Sequence, residues 1–234
     1  MAKVFETWTV LPHEPLQKLT ENLWTVRGTM PGGKVTRVMS VIRLASGKLI
    51  IHNAIALEEP LMRELQAFGE PGYILVPNGF HRQDARIYKD RFPAAKVLCP
   101  AGSSKRVSQV VAVDGDYQQA PPDERVQVSY LDGVKNVEGM IKVDSSDGST
   151  LIFNDLVCNM PKLSGLSGIA LAPTGKASVP LVSRMMMLKD KRTTGASLAK
   201  LAETPNLRRI VVSHGALIND GAPAILRSVA AALA

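Results

Sequence analysis

The sequence predicts an α/β (α+β) fold with two β-sheets packed face to face and helices outside them, a four-layered αββα sandwich. Three observations lead there. Short Val- and Ile-rich runs between Gly-containing turns open the first half. A middle segment alternates strand and helix, which implies parallel pairing with right-handed crossovers. The second half then repeats the order of strands first and alternation after. With 234 residues, 45% hydrophobic and 21% charged, the chain has the composition of a globular protein with one large core, and a single domain over 1–234 is expected.

The first strands are LWTVRG (Leu23 to Gly28), RVMSVIRL (Arg37 to Leu44) and KLIIHN (Lys48 to Asn53). Short turns such as PGG and ASGK join them, so they predict an antiparallel meander. GTMPGGK lacks the G-x-x-x-x-G-K-[ST] spacing of a phosphate loop, so it reads as a turn. After Asn53 the residues Leu57, Leu61, Met62, Leu65 and Phe68 recur at helical spacing, and Gly69 stands where a helix C-cap belongs. Strand YILVP, helix QDARIYKDRF, strand KVLCP and helix AGSSKRVSQVV follow.

In the second half VQVSYL, GMIKVDS and STLIFND read as strands, the last two joined by the turn SDGS. A long segment with helical stretches leads to helix TGASLAKLAE, strand RRIVVSH and the apolar helix APAILRSVAAALA. Within that segment, SGLSGIALAPTGK fits a flap over a cleft and an ordinary surface connection equally. The final helix fits a cover for a sheet or for a neighbouring subunit, which leaves a homo-oligomer open.

The balance of 28 Lys+Arg against 21 Asp+Glu gives +7, which favours anionic partners. Aromatics are only 5% and the basic residues are spread out, so the stacking surface and charge stripe of a nucleic-acid module are absent. One local cluster, RMMMLKDKR from Arg184 to Arg192, reads as a solvated basic helix face with a buried methionine side, or else as an anion site. Cys99 and Cys158 lie in or beside apolar strands without C-x-x-C spacing, as small buried residues of a reducing compartment do. The N-terminal MAKVFETWTV has no signal-type apolar core and no run approaches a bilayer span, so a cytoplasmic protein without a membrane partner is expected.

The order of strand ends resembles the metallo-β-lactamase superfamily over most of the chain. There a strand, turn and helix carry H-x-H-x-D-H, a later Asp ends a strand written like LFTGD, and a last His follows another strand as HG. The corresponding places are VPNGFHRQD, TLIFND and VVSHG, with IIHN where the superfamily writes LIDTG. With His81 as the second His of the motif, Gly79 stands at the first, Gln83 at the Asp and Asp84 at the last His. The superfamily's further His has no counterpart in YLDGVKNVEGMI, where Asn136 or Glu138 occupies the neighbourhood. The chain is most similar to a degenerate bacterial branch in which PN-x-x-H precedes a helix ending FP-x-A-x-V.

The resemblance implies a reduced metal set of His81, Asp155 and His214, with Asp84 or His52 as a fourth ligand or a catalytic assistant. Two imidazoles and a carboxylate suit one zinc, iron or manganese ion, and the competing expectation is a polar cleft without metal. One reading is therefore a hydrolase of an ester, lactone, thioester or phosphoester. The other is a non-catalytic protein that binds a small ligand or a protein. An unpartnered Asp155 at the end of an apolar strand would be costly to bury, so it needs a metal, a histidine or backbone N–H groups. His13, in LPHEPL, reads as locally bonded. No G-x-S-x-G elbow is present and neither cysteine has a basic setting, so nucleophilic catalysis is set aside.

Overall fold

The computed structural model describes residues 4–32 and 35–234, in two compact units, Met1–Gln127 and Val128–Ala234. Part of the N-terminal stretch read for a signal (1–3) and the last two residues of PGGK, Gly33 and Lys34, lie outside the described residues.

In the first unit β1 (Gln17–Lys18), β2 (Leu23–Thr29), β3 (Thr36–Arg43) and β4 (Lys48–His52) pair antiparallel in order, the meander expected from the Val/Ile runs. Leu49, Ile50 and Ile51 of β4 are consecutively buried, as in a strand covered on both faces. The chain then enters α1 (Glu59–Phe68), which buries Met62 and Leu65. Gly69 does close this helix, its N–H bonding Leu65 O at 3.3 Å. Its backbone is extended, however, and glycine is needed for space: a Cβ would stand 2.4 Å from Gly47 O.

Next come β5 (Glu70–Leu75), α2 (Ala85–Arg91) and β6 (Lys96–Cys99), then a 3₁₀ turn at Ala101–Ser103, α3 (Ser104–Val107) and β7 (Gly115–Asp116). The neighbours β4, β5, β6 and β7 pair parallel and complete a seven-stranded sheet. The helix expected over AGSSKRVSQVV is only the 3₁₀ turn and α3, because Gly102 and three serines favour turns over a continuous helix.

β8 (Val126–Ser129) leads into the second unit, where β9 (Met140–Ser145) and β10 (Gly148–Phe153) form the expected hairpin. α4 (Gly165–Ala170), α5 (Leu181–Met187) and α6 (Lys191–Leu201) precede β11 (Leu207–Val212), which pairs parallel with β10, and α7 (Ala222–Ala231) closes the chain. The four-stranded order is β11-β10-β9-β8. α7 buries Leu226, Val229 and Ala230 in this unit's own core, beside Leu233. Its apolar face is thus used within the unit. The methionine cluster departs from expectation: Met187 is buried, whereas Met185 is 74% exposed and Met186 is exposed too. No helix among the described residues is long and apolar enough to cross a membrane.

Candidate metal centre

The turn that presents His81 is built by the asparagine in front of it. β5 ends at Leu75, and Asn78 Oδ1 accepts the backbone N–H groups of Phe80 (2.8 Å) and His81 (3.1 Å), an Asx-type turn that halts the chain and turns the imidazole inward. His81 is 5% exposed. Its Nδ1 lies 3.1 Å from Asn53 Oδ1, while Asn53 Nδ2 donates to Val38 O at 2.9 Å. Because that amide must point its NH₂ at the carbonyl, Oδ1 faces His81 and accepts from Nδ1–H. The other ring nitrogen, Nε2, then carries the lone pair that a metal requires. Asn53 reaches this position in the left-handed region, φ 57°, which Asn tolerates better than most residues.

The remaining motif positions in the first unit do other work. A Cβ on Gly79 would stand 2.6 Å from Arg106 Cδ, and the Arg106 guanidinium lies over the Phe80 ring at 4.2 Å. A histidine at the first motif position would therefore displace Arg106. Gln83 is fully buried with neither amide atom hydrogen-bonded among the described residues. Asp84 pairs with buried Arg37 and accepts Ala56 N–H at 3.0 Å, while Arg37 also donates to Ala54 O at 2.8 Å. Burial pushes the Asp84 carboxyl up in spite of Arg37. Asp84 thus ties the start of α2 to the 54–56 segment that follows Asn53.

His52 ends β4 beneath this turn at 3% exposure. Burial first, and the charge of His81 second, pull its imidazole down to about 3, so it is neutral throughout the physiological range. Its Nδ1 has no hydrogen-bond partner among the described residues. His13 bonds Glu14 O, as expected of a locally bonded residue, and also pairs with Glu58, 45 positions away.

In the second unit the parallel register decides the geometry. Phe153 of β10 pairs with Val212 of β11, so two residues further along both strands Asp155 and His214 emerge side by side. His214 Nε2 is 3.1 Å from Asp155 Oδ1, and one residue earlier Ser213 Oγ donates to Asn154 Oδ1. Asp155 thus has the histidine partner that its cost of burial demands.

The backbone around this pair is held on every side. Glu138, 1% exposed, accepts Asp155 N–H at 3.0 Å and Leu156 N–H at 2.8 Å, one on each oxygen. Ser183 Oγ donates to Asp155 O at 2.7 Å. Asn159 N donates to His214 O at 3.0 Å and Ala216 N returns to Asn159 O at 3.1 Å. Gly215 sits at φ 100°, where a Cβ would stand 1.9 Å from Asn159 O. The glycine of the HG pair is there for that close passage.

Sequence reasoning named Glu138 only as the occupant of a missing histidine's place, and it overlooked Asn53 and Asn78 as supports. Asn78 was legible as the Asn of PN-x-x-H; the other two declare themselves only through contacts distant in sequence. The cysteines are both free and buried. Burial first, then Asp116, pushes the Cys99 thiol up to about 11. Burial with Asp155 and Glu138 raises Cys158 well above its usual value, so neither supplies a thiolate near neutral pH.

No protein-family model and no curated protein matches the sequence. Solved structures do. The DIM-1 metallo-β-lactamase exposed to ceftazidime is similar over 97% of this chain and 100% of its own, at TM-score 0.63 and 14% identity. A metallo-β-lactamase from Hirschia baltica covers 94% and 98%, at 0.63 and 9%. The metallo-β-lactamase FIM-1 from Pseudomonas aeruginosa in its mono-zinc form covers 95% and 96%, at 0.58 and 12%. The fold is therefore that of the metallo-β-lactamases, in the α/β class expected from the order of strands and helices.

Proposed function

We propose that this protein is a metal-dependent hydrolase of metallo-β-lactamase-like fold with a reduced, one-ion site whose ligands are His81, Asp155 and His214. The observation that carries the reading is the His214–Asp155 pair at 3.1 Å on adjacent strand ends, in a chain with this fold along almost its whole length. The donors fit a borderline divalent ion such as zinc, iron or manganese: two imidazoles, one with its tautomer set by Asn53, and one carboxylate. Such an ion supplies Lewis acidity, polarising a carbonyl or phosphoryl group and bringing water within reach of ionisation near neutral pH.

The chain's own residues do the positioning. Asn53 sets the tautomer of His81 so that Nε2 carries the lone pair, Glu138 clamps the turn that carries Asp155, and Asn159 pins the backbone of His214. His52, neutral and with no hydrogen-bond partner at Nδ1 among the described residues, is a candidate assistant and not one of the three ligands. At a pKa of about 3 it is too weak a base to abstract protons efficiently at neutral pH. Asp84, held by Arg37 and Ala56, acts through position and not as a free carboxylate. The substrate is a small ester, lactone, thioester or phosphoester, and two free, buried thiols support a cytoplasmic setting.

A second reading, a small-molecule or protein-binding cleft without metal, draws on the glycine, glutamine and ion-paired aspartate at the other motif positions. Elemental analysis of protein purified without added metal separates the two. The hydrolase reading expects roughly one zinc, iron or manganese per chain, lost in His81→Ala and in His214→Ala while both still melt cooperatively. Metal-free protein that takes up none when zinc, iron or manganese is added overturns it and leaves the binding cleft.

A further inference from the structure

The RMMMLKDKR cluster remains outside this site. Helix α5 carries Leu181, Val182, Met185 and Met186 at i, i+1, i+4 and i+5, and all four are exposed. Its other face is the anchored one: Ser183 bonds Asp155 O, and Met187 belongs to the core of the second unit. The apolar side of α5 therefore faces solvent, the reverse of an ordinary surface helix. α4 packs against α5 and adds Ile169, 66% exposed.

The chain segment that carries this patch is predominantly basic. From Lys162 to Arg192 six Lys or Arg residues stand against a single acid, Asp190, and the Asp190 carboxylate accepts Thr193 N–H as the cap of α6. Lys162, Lys176, Lys189, Lys191 and Arg192 are exposed. Lys135 joins them, donating its Nζ to Met186 O at 3.0 Å.

We propose that the exposed α4–α5 face, on its basic segment, docks this protein on an anionic lipid surface. A second copy would bring like charges together, so the patch is not self-complementary. The apolar side chains protrude from two short helices, and the cations lie on neighbouring loops and in the first turn of α6. An anionic bilayer receives such side chains at the headgroup boundary and attracts the cations without demanding shape or register. The contact is peripheral, so the lack of a membrane-spanning helix does not bear on it.

Flotation with phosphatidylcholine vesicles, with and without phosphatidylglycerol, tests this on the full chain. Binding is expected to the anionic vesicles alone and to fall as salt rises. Met185→Ser/Met186→Ser should weaken it at least severalfold, and Lys189→Gln/Lys191→Gln/Arg192→Gln by about fivefold per cation that reaches the surface. Cooperative melting of each variant separates lost docking from lost folding. Vesicle binding unchanged in both variants overturns the proposal, as does its absence at low salt. Capture by soluble polyglutamate but not by anionic vesicles overturns it in favour of an acidic protein. A dimer that Met185→Ser/Met186→Ser dissociates overturns it in favour of a second copy.

Discussion

Replacing Asn53 tests how the first half of the site is held. The side chain makes two buried hydrogen bonds, Nδ2 to Val38 O at 2.9 Å and Oδ1 with His81 Nδ1 at 3.1 Å, at φ 57°. Asn53→Gly keeps the backbone conformation and removes both bonds, leaving a buried carbonyl and a buried imidazole N–H unsatisfied. At about 1–3 kcal/mol for each of the two orphaned groups, the loss is about 2–6 kcal/mol, centred below a typical total stability of about 5–15 kcal/mol, so the variant is expected to fold. Asn53→Ala removes the same bonds and adds the strain of a Cβ in the left-handed region, a further 1–2 kcal/mol roughly. Freed from Asn53, His81 samples both tautomers and ring orientations, and zinc affinity should fall about 10–100-fold, as for other lost ligand supports. Urea denaturation of the metal-free variants reads the first quantities, and competition with a chromogenic chelator reads the last. Asn53→Gly with wild-type zinc affinity would refute the tautomer argument. Equal stability of the Gly and Ala variants would refute the strain argument.

Three further outcomes follow from the same geometry. Asp84→Asn leaves Arg37 buried without its counter-charge and should destabilise by about 3–5 kcal/mol in urea denaturation, whereas Arg37→Met with Asp84→Leu should cost less, because no lone charge stays buried. Glu138→Gln turns one of two acceptors into a donor facing a backbone N–H, so about 1–3 kcal/mol should be lost in thermal or urea melts; Glu138→Gln as stable as the parent would show that the two N–H bonds do not clamp the Asp155 turn. His52 has a folded pKa near 3, below its unfolded value of 6.5, so below pH 6.5 the unfolded chain takes up a proton that the folded one refuses. Stability of the metal-free protein should fall with decreasing pH from 6.5 towards 3, by about 1.4 kcal/mol per pH unit from this residue, and His52→Gln should flatten that part of the profile by the same amount.

Much of the candidate site was legible because its residues close apolar runs. TLIFND and VVSHG each read as a buried strand ending in a polar pair, and the parallel register of β10 and β11 sets Asp155 beside His214. PN-x-x-H announced a turn before a helix, and Asn78 makes it. Asp84 shows where such reading stops. An Asp just ahead of a helix and three residues past a candidate ligand looks like a functional carboxylate, but Arg37, 47 positions earlier, claims it. The methionines show the same limit from the other side: MMM on a helix predicts burial, and only Met187 is buried. Hydropathy records what a side chain prefers, whereas its surroundings depend on which face the anchoring residue, here Ser183, turns inward.

The sequence by itself determined most of the strand and helix order, the meander, the parallel segment, the turn that carries His81 and the placement of Asp155 and His214 just past strand ends, because periodicity and turn chemistry act between near neighbours. Tertiary structure decided the tautomer of His81, the partner of Asp84, the clamp from Glu138 and the outward apolar face of α5. Each of these is a contact between residues remote along the chain, and its energy depends on distance and burial in three dimensions, which no local pattern encodes.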